Sequence, residues 1–302
     1  MENITPVKES YKVRDLTSLL PFLQNISGRS RSATKQVISS GRVCVDGRST
    51  TLATQPLESG SLVTVHQSPM PKPLRHPKIK VIWEDDSYVV VEKSAGIYSV
   101  NTTHKDRENT VIWILSNHYK TVDPSAKLFM VNRLDSESAG FVVFAKSIKA
   151  KEALIEGWNR HLISQRFVLV VSGLMEEKEF EVTSESTPPE GVNPKRYVPK
   201  VTRATLRRLK SNREGDMHVV EVNVPNARIF SLRKLMNDNG FRILGDGRHQ
   251  SVFVLKGRIA LEQIELTIRF PNHSGRPKSF SRPFPTHFFN YLRYNSEGER
   301  EG

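Results

Sequence analysis

The sequence predicts an α+β protein in two parts, and three observations carry that expectation. Short apolar runs recur with turn residues between them, as at 128–131 and 141–145, and read as buried strands joined by tight connections. Between such runs lie stretches whose apolar residues recur at helical spacing behind a Ser or Thr able to cap them. Residues 67–79 carry four prolines, several positive charges and neither periodicity. They read as a semi-extended basic linker between a small unit at 13–66 and a larger one at 80–293.

At 302 residues the chain has room for one large domain and one small one. Lys and Arg number 45 against 32 Asp and Glu, a net charge of +13. Such an excess favours polyanion partners, RNA or DNA before membrane lipid, because neutralising phosphate drives association. A merely soluble basic protein is the weaker reading. The single cysteine, Cys44, excludes an intrachain disulfide framework and suits a reducing cytoplasm. Nine histidines and one cysteine show no metal-ligand spacing, so no metal site is expected. The N-terminal stretch lacks the apolar core of a signal peptide, and no run reaches the length of a membrane span. The expectation is a cytoplasmic, monomeric protein with no membrane partner.

In the small unit, Leu16, Leu19, Leu20 and Leu23 fall at helical spacing. Ser30 is placed to cap a second helix carrying Ala33, Val37 and Ile38, which Gly41 ends. Residues 42–45 alternate as a strand with Asp46-Gly47 as its turn, and 62–65 supply another strand. In the larger unit, 81–83 and 88–93 read as strands about an acidic turn, Glu84-Asp85-Asp86. Thr110 is placed to cap a helix through Ile112, Leu115 and His118. Ser147 is placed to cap another, with Ala150, Ala153, Leu154 and Trp158 on one face. Residues 165–173 read as a buried strand and 219–224 as an alternating one. Residues 174–200 read as an exposed hairpin or loop without chemistry, and 294–302 as a flexible tail.

Between the runs at 128–131 and 141–145 stands Asn132-Arg133-Leu134-Asp135, followed by small or polar residues and Gly140. For a single loop Asp, capping a turn is the ordinary reading. The stretch NRLDSESAGFVVFAKS, however, resembles the catalytic motif of the RluA-type pseudouridine synthases. That pattern is His-Arg-Leu-Asp, a polar turn, Ser-Gly, an apolar strand and Ala-Lys. The family's nucleophilic Asp falls on Asp135, while Asn132 replaces its His and Ala139 its Ser.

The resemblance runs on in family order. Lys93-Ser94-Ala95-Gly96 is similar to the family's Lys-Pro-Ala-Gly, and 165–173 to its Lys-x-Tyr strand, with Gln165 at the lysine and Phe167 at the tyrosine. In the segment 226–236 the two arginines Arg228 and Arg233 remain, while Ala227, Phe230 and Ser231 replace Gly, His and Gln. Gly240, then Ile243-Leu244-Gly245-Asp246, and later Phe270-Pro271, Pro283 and Pro285 echo the closing motifs. The small unit resembles the S-four-type RNA-binding module, whose basic face would fall on Arg29, Arg31, Lys35, Arg42 and Arg48.

The resemblance implies a mixed, mainly antiparallel sheet catalytic domain of the pseudouridine synthase type, behind a small α/β RNA-binding domain. It implies isomerisation of specific uridines in structured RNA, ribosomal RNA favoured over transfer RNA, with no cofactor because nothing is oxidised or lost. Asp135 would attack, Arg233 would keep it ionised and oriented, and Phe167 would be a platform for the flipped base. Arg133 would contact phosphate or prop the turn, Asn132 would bind substrate, and Arg228 and Lys234 would hold flanking phosphates. A catalytically weak RNA-binding relative acting in ribosome assembly is the alternative, motivated by Asn132, Phe167 and the altered 228–233 segment. A basic binding protein with an unrelated partner stands third.

Overall fold

A computed structural model describes residues 7–67, 69, 74–100, 108–121, 123–188, 197–225, 229–249, 251–271 and 276–297, the side chains of 48, 159 and 229–231 excepted. The small unit runs β1 (Val7–Lys12), β2 (Thr17–Ser18), α1 (Leu19–Ser27), α2 (Arg31–Ser39), β3 (Val43–Val45), β4 (Arg48–Thr50), β5 (Pro56–Leu57) and β6 (Leu62–His66). Its sheet has the order β1-β6-β3-β4, and β2 pairs with β5. The Ser30 hydroxyl accepts from Ala33 N at 3.3 Å and caps α2 as expected. Asp46 and Gly47 both take positive φ, 50° and 78°, the backbone that a two-residue hairpin needs. Two expectations change. Helix α1 begins only at Leu19, because Thr17–Ser18 is drawn into a strand pair, so Leu16 is left 81% exposed. The sheet also extends past residue 13: β1 pairs antiparallel with β6 from Lys12 to Val7.

The larger unit begins β7 (Ile79–Glu84), β8 (Tyr88–Lys93), α3 (Val111–Lys120), β9 (Phe129–Met130), β10 (Gly140–Ala145), α4 (Ile148–Glu156) and α5 (Trp158–His161). It continues β11 (Leu162–Ser172), β12 (Glu179–Glu185), β13 (Val201–Ser211), β14 (Met217–Asn223), α6 (Ile229–Asp238), β15 (Arg242–Ile243), β16 (Leu261–Ile268) and β17 (Lys278–Ser281). One sheet has the order β7-β8-β10-β9; the other runs β12-β13-β14-β11-β16-β17, with β15 also on β11. Among the described residues every pairing between these strands is antiparallel, and parallel contact is confined to the bridges Tyr98 to Thr110 and Ala139 to Glu262. The fold is the expected mixed, mainly antiparallel α+β type.

Strands β8 and β10 are apolar at nearly every position because both of their faces are covered. Val89, Val91, Val142 and Phe144 join Phe167, Leu169, Val220, Leu232 and Leu235 in the principal core. Tyr88, Val90, Phe141 and Val143 face the other way, onto Ala150, Leu154, Leu266 and Phe270. Thr110 and Ser147 cap α3 and α4 through Trp113 N at 3.3 Å and Ala150 N at 3.1 Å.

Three expectations here give way. Ala153 is exposed, since Ala150 and Leu154 alone complete the inward stripe of α4, and Gly157 puts Trp158 in a separate short helix. Residues 174–200 are not wholly a loop: Glu179–Glu185 forms β12, zipped along β13 in register from Glu179–Arg207 to Glu185–Val201. Nor is the start of the tail free, because Asn212 Nδ2 donates to Tyr294 O at 3.2 Å and Ser296 N to Asp216 Oδ2 at 2.9 Å. Residues 189–196 and 298–302 lie outside the described residues, as do 68 and 70–73 of the expected linker.

Candidate active site

The turn that carries Asp135 is built from both sides. Strands β9 and β10 pair for two residues, and Val131 N then donates to Val143 O at 2.9 Å. There the Asn132 amide takes over the ladder: Nδ2 donates to Phe141 O at 3.1 Å and Oδ1 accepts from Val143 N at 2.7 Å. Leu134, 5% exposed, is buried in the core, and its backbone N and O are both bonded to the Ser99 hydroxyl, at 3.1 and 2.6 Å. Beneath the turn lies the fully buried Lys93. Its ammonium donates to Ser138 O at 2.8 Å, Ile97 O at 2.9 Å, Ser94 O at 3.2 Å and Ser136 O at 3.4 Å. Gly96 N donates to Ser136 O at 2.7 Å, and Ile259 N, just before β16, reaches Glu137 O at 3.4 Å. Burial pushes the Lys93 ammonium down to about 7; the charge of Asp135 resists this, while Lys78 and Arg282 add to it.

Asp135 projects from this support with 21% of its side chain exposed and meets Arg233 of α6. Arg233 is the largest fully buried side chain of the described residues. Its NH1 donates to Asp135 Oδ2 at 2.5 Å, and Glu137 Oε2 lies 3.7 Å from the same nitrogen. The opposite edge of the guanidinium is gripped by Asp246, Nε donating to Oδ2 at 2.8 Å and NH2 to Oδ1. Burial favours the neutral guanidine, but the bonds to Asp246 and Asp135 outweigh it and hold Arg233 well above its ordinary value. Asp246 is pushed up by its own burial and pulled further down by Arg233 and His249, so its carboxyl lies below the usual range. The result is a buried cation with a buried carboxylate on one edge and a half-open one on the other.

The sequence-predicted residues divide clearly. Asp135 and Arg233, 98 positions apart, are brought together. Arg133 is exposed beside them with no ion-pair partner among the described residues. Asn132, expected to bind substrate, uses both ends of its amide on the backbone of β10. Phe167 is 1% exposed and lies in the principal core with Leu134, Val142 and Leu232, so it presents no open face to a base. Lys234 is turned from the site toward β12, its ammonium on Asp238 one turn along and on the Ser184 hydroxyl at 3.3 Å. Arg228 lies outside the described residues, as does the side chain of Arg48. In the small unit Arg31 and Lys35 are exposed, whereas Arg29 is paired with Glu9 and Arg42 Nε donates to His66 O at 2.8 Å. Lys93 and Asp246 fall in segments that resemble family motifs, yet nothing in the sequence points to their partners; a lysine closing an apolar strand is the one local signal for the first.

Among the described residues no group of three or more His, Cys, Asp or Glu is placed to hold a metal ion, and no helix is long and apolar enough to cross a membrane.

The chain is similar to known proteins. Residues 87–238, which include Asp135, Phe167 and Arg233, match the family model described as RNA pseudouridylate synthase. The chain is 27% identical over 228 residues to an uncharacterized RNA pseudouridine synthase of Aquifex aeolicus, covering 72% of this chain and 71% of that one. It is 28% identical over 173 residues to the mitochondrial tRNA pseudouridine(32) synthase of Saccharomyces cerevisiae, covering 57% of this chain and 35% of that one. The solved structure of human RNA pseudouridylate synthase domain containing 4 matches with a TM-score of 0.55 at 15% identity, over 70% of this chain and 92% of that one, a likeness of fold. With half its length inside the family model, this chain belongs to the RNA pseudouridylate synthase family.

Proposed function

We propose that this protein converts specific uridines of a structured RNA to pseudouridine, with Asp135 as the nucleophile. The observation that carries this reading is the half-open Asp135 carboxylate bonded at 2.5 Å to a guanidinium that is itself buried. A carboxylate bonded to a fixed guanidinium is held in one orientation, aimed with its second oxygen toward the open side. The reaction balances within the nucleotide. The N1–C1′ bond breaks, the base turns, a C5–C1′ bond forms, and the proton lost from C5 is matched by one gained at N1. No oxidant, reductant or group donor enters, which is why no cofactor is proposed. Asp135 would attack either the ribose C1′ or the uracil ring, and its Arg233 bond would stabilise the charge that returns to it as the product leaves.

The uridine must leave its stack to reach Asp135. Arg133, exposed next to the nucleophile, is suited to a flanking phosphate, and Arg31 and Lys35 of the small unit to a more distant one. The S-four-like pattern of that unit and its separation from the catalytic part favour ribosomal RNA; transfer RNA, named for the yeast relative, is the other substrate class. The buried Phe167, where the resembling family has a tyrosine, favours a second reading: an RNA-binding relative that turns over weakly for want of a hydroxyl.

The test is pseudouridine mapping of total ribosomal and transfer RNA from cells carrying the native protein, none, or Asp135→Asn. A uridine modified with the native protein alone is the expected outcome and names the substrate. Identical maps from all three, with RNA still bound by the purified protein, would establish the second reading instead.

A further inference from the structure

The guanidinium of Arg233 is shared unequally. Asp135 receives one bond, from NH1 to Oδ2, and its Oδ1 has no hydrogen-bond partner among the described residues. Asp246 receives two, from Nε and NH2, and is 1% exposed. Its carboxylate is also saturated elsewhere: Arg248 N donates to Oδ1 at 3.1 Å, and His249 Nδ1 lies 2.9 Å from Oδ2. Each oxygen therefore faces two donors. The reaction described above assigns Asp246 nothing, yet a second buried carboxylate on an arginine already paired is costly and calls for a reason.

Guanidinium geometry supplies one. The ion is planar and meets a carboxylate most strongly edge-on, through two parallel bonds. If its Nε/NH2 edge were free, that edge would be available to Asp135 and would engage both of the nucleophile's oxygens. With the edge locked on Asp246, a single nitrogen is presented to Asp135, and one oxygen remains for substrate. We propose that Asp246 is a positioning residue for the reaction: it fixes the plane of Arg233 so that Asp135 is held by one oxygen and left reactive through the other. His249, 18% exposed, steadies Asp246 from the solvent side. The inference rests on Asp135 being the nucleophile.

The test compares Asp246→Asn and His249→Leu with the native full-length chain on the RNA that mapping identifies. Asp246→Asn is expected to lose roughly 100-fold in kcat, the scale set by small misplacements of a reacting group, with KM for RNA unchanged. His249→Leu falls in the same direction by less. A pH profile separates positioning from mere damage. The charged groups facing Asp135 are Arg233, Glu137 and Lys93, and those facing Asp246 are Arg233 and His249, with Asp238 beyond. Removing the Asp246 charge leaves more of the Arg233 field to Asp135, so the acid limb of kcat moves to lower pH; unfolding would not move it that way. Exchange of the Arg233 Nε proton, followed by NMR, needs no activity and should quicken in Asp246→Asn. Native kcat with an unmoved limb, or an unchanged Nε exchange rate, overturns the inference while leaving the nucleophile in place. If Asp246→Asn does not fold, the kcat of His249→Leu decides, and a native kcat there overturns the inference as well. A native protein that modifies no RNA would instead remove the nucleophile reading, and this inference with it.

Discussion

The environment of Lys93 makes a claim about stability that can be measured. Four backbone carbonyls within 3.4 Å surround an ammonium that solvent does not reach, and two of them, Ser136 O and Ser138 O, belong to the turn that carries Asp135. Replacing Lys93 with Met removes the cost of burying the charge but takes the side-chain donor from Ser94 O, Ile97 O and Ser138 O, while Ser136 O keeps Gly96 N. The second effect is larger, because a buried polar group left unpaired costs roughly 1–3 kcal/mol and there are several. Lys93→Met is therefore expected to destabilise the fold by about that much and to lower kcat, read by urea denaturation and by turnover on the mapped RNA. The sign of the pH dependence also follows. An unfolded lysine titrates at about 10.4, whereas burial brings the folded one down to about 7. Between those values the unfolded chain binds the extra proton, so native stability should rise with pH across the window and be flat in this respect below it. Lys93→Met should lack that rise. Parallel curves for the two proteins would show that Lys93 is not the titrating group.

At the scale of elements, strand β10 joins the two sheets. Gln263 of β16 places its side-chain oxygen on Phe141 N at 3.0 Å, its backbone N on Ala139 O at 2.9 Å, and its amide nitrogen on Gln165 at 2.9 Å. That approach requires Gly140. Its φ is +153°, and a Cβ there would stand 2.6 Å from Gln263 Cβ and 3.1 Å from a methyl of Leu134, the residue before Asp135. Gly140→Ala is expected to cost about 1–3 kcal/mol by overpacking and to depress kcat by moving Leu134 and Asp135 together. Denaturation and turnover measured side by side check this, and a native melt with native kcat would contradict it. The glycine was legible in the sequence as part of a motif; its reason was not, because Gln263 lies 123 positions away. The same distinction runs through the fold. Elements marked by caps or by continuous apolar runs, α2, α3, α4, β8, β10 and the core of β11, are readable locally. Strands β12 and β13 were missed because Glu179, Glu181, Arg203 and Arg207 crowd their outer faces and mask the inward Phe180, Val182, Ala204 and Leu206. Likewise β1, lying on an edge, carries the polar pattern of a surface segment.

For the whole molecule, the pairing of Asp135 with Arg233 followed from the resemblance of two segments to one family, whereas the destinations of the other cations did not. A lysine or arginine looks equally available in sequence whether it ends on water, on a carboxylate or on a carbonyl. Their partners decided three of them: Glu9 of β1 for Arg29, His66 O of β6 for Arg42, and for Lys234 both Ser184 of β12 and Asp238 of its own helix. The net charge of +13 thus overstates what is free to meet phosphate, and in the small unit Arg31 and Lys35 carry the expectation. Each cation that displaces a counterion from RNA steepens the fall of affinity with salt by about one unit on logarithmic axes. Removing both, as Arg31→Ala with Lys35→Ala, should flatten that slope by about two units. It should leave kcat at saturating RNA as in the native protein, because neither residue belongs to the Asp135 turn. Arg29→Ala should flatten the slope less, since its charge is already engaged, and Glu9→Gln should steepen it by releasing that charge. Anisotropy titrations of the mapped RNA over a range of salt concentrations read all four slopes. Equal slopes for the native protein and the double variant would mean that the basic face of the small unit does not touch RNA, and would leave Arg133 and the rim of the catalytic turn as the place where the polyanion binds.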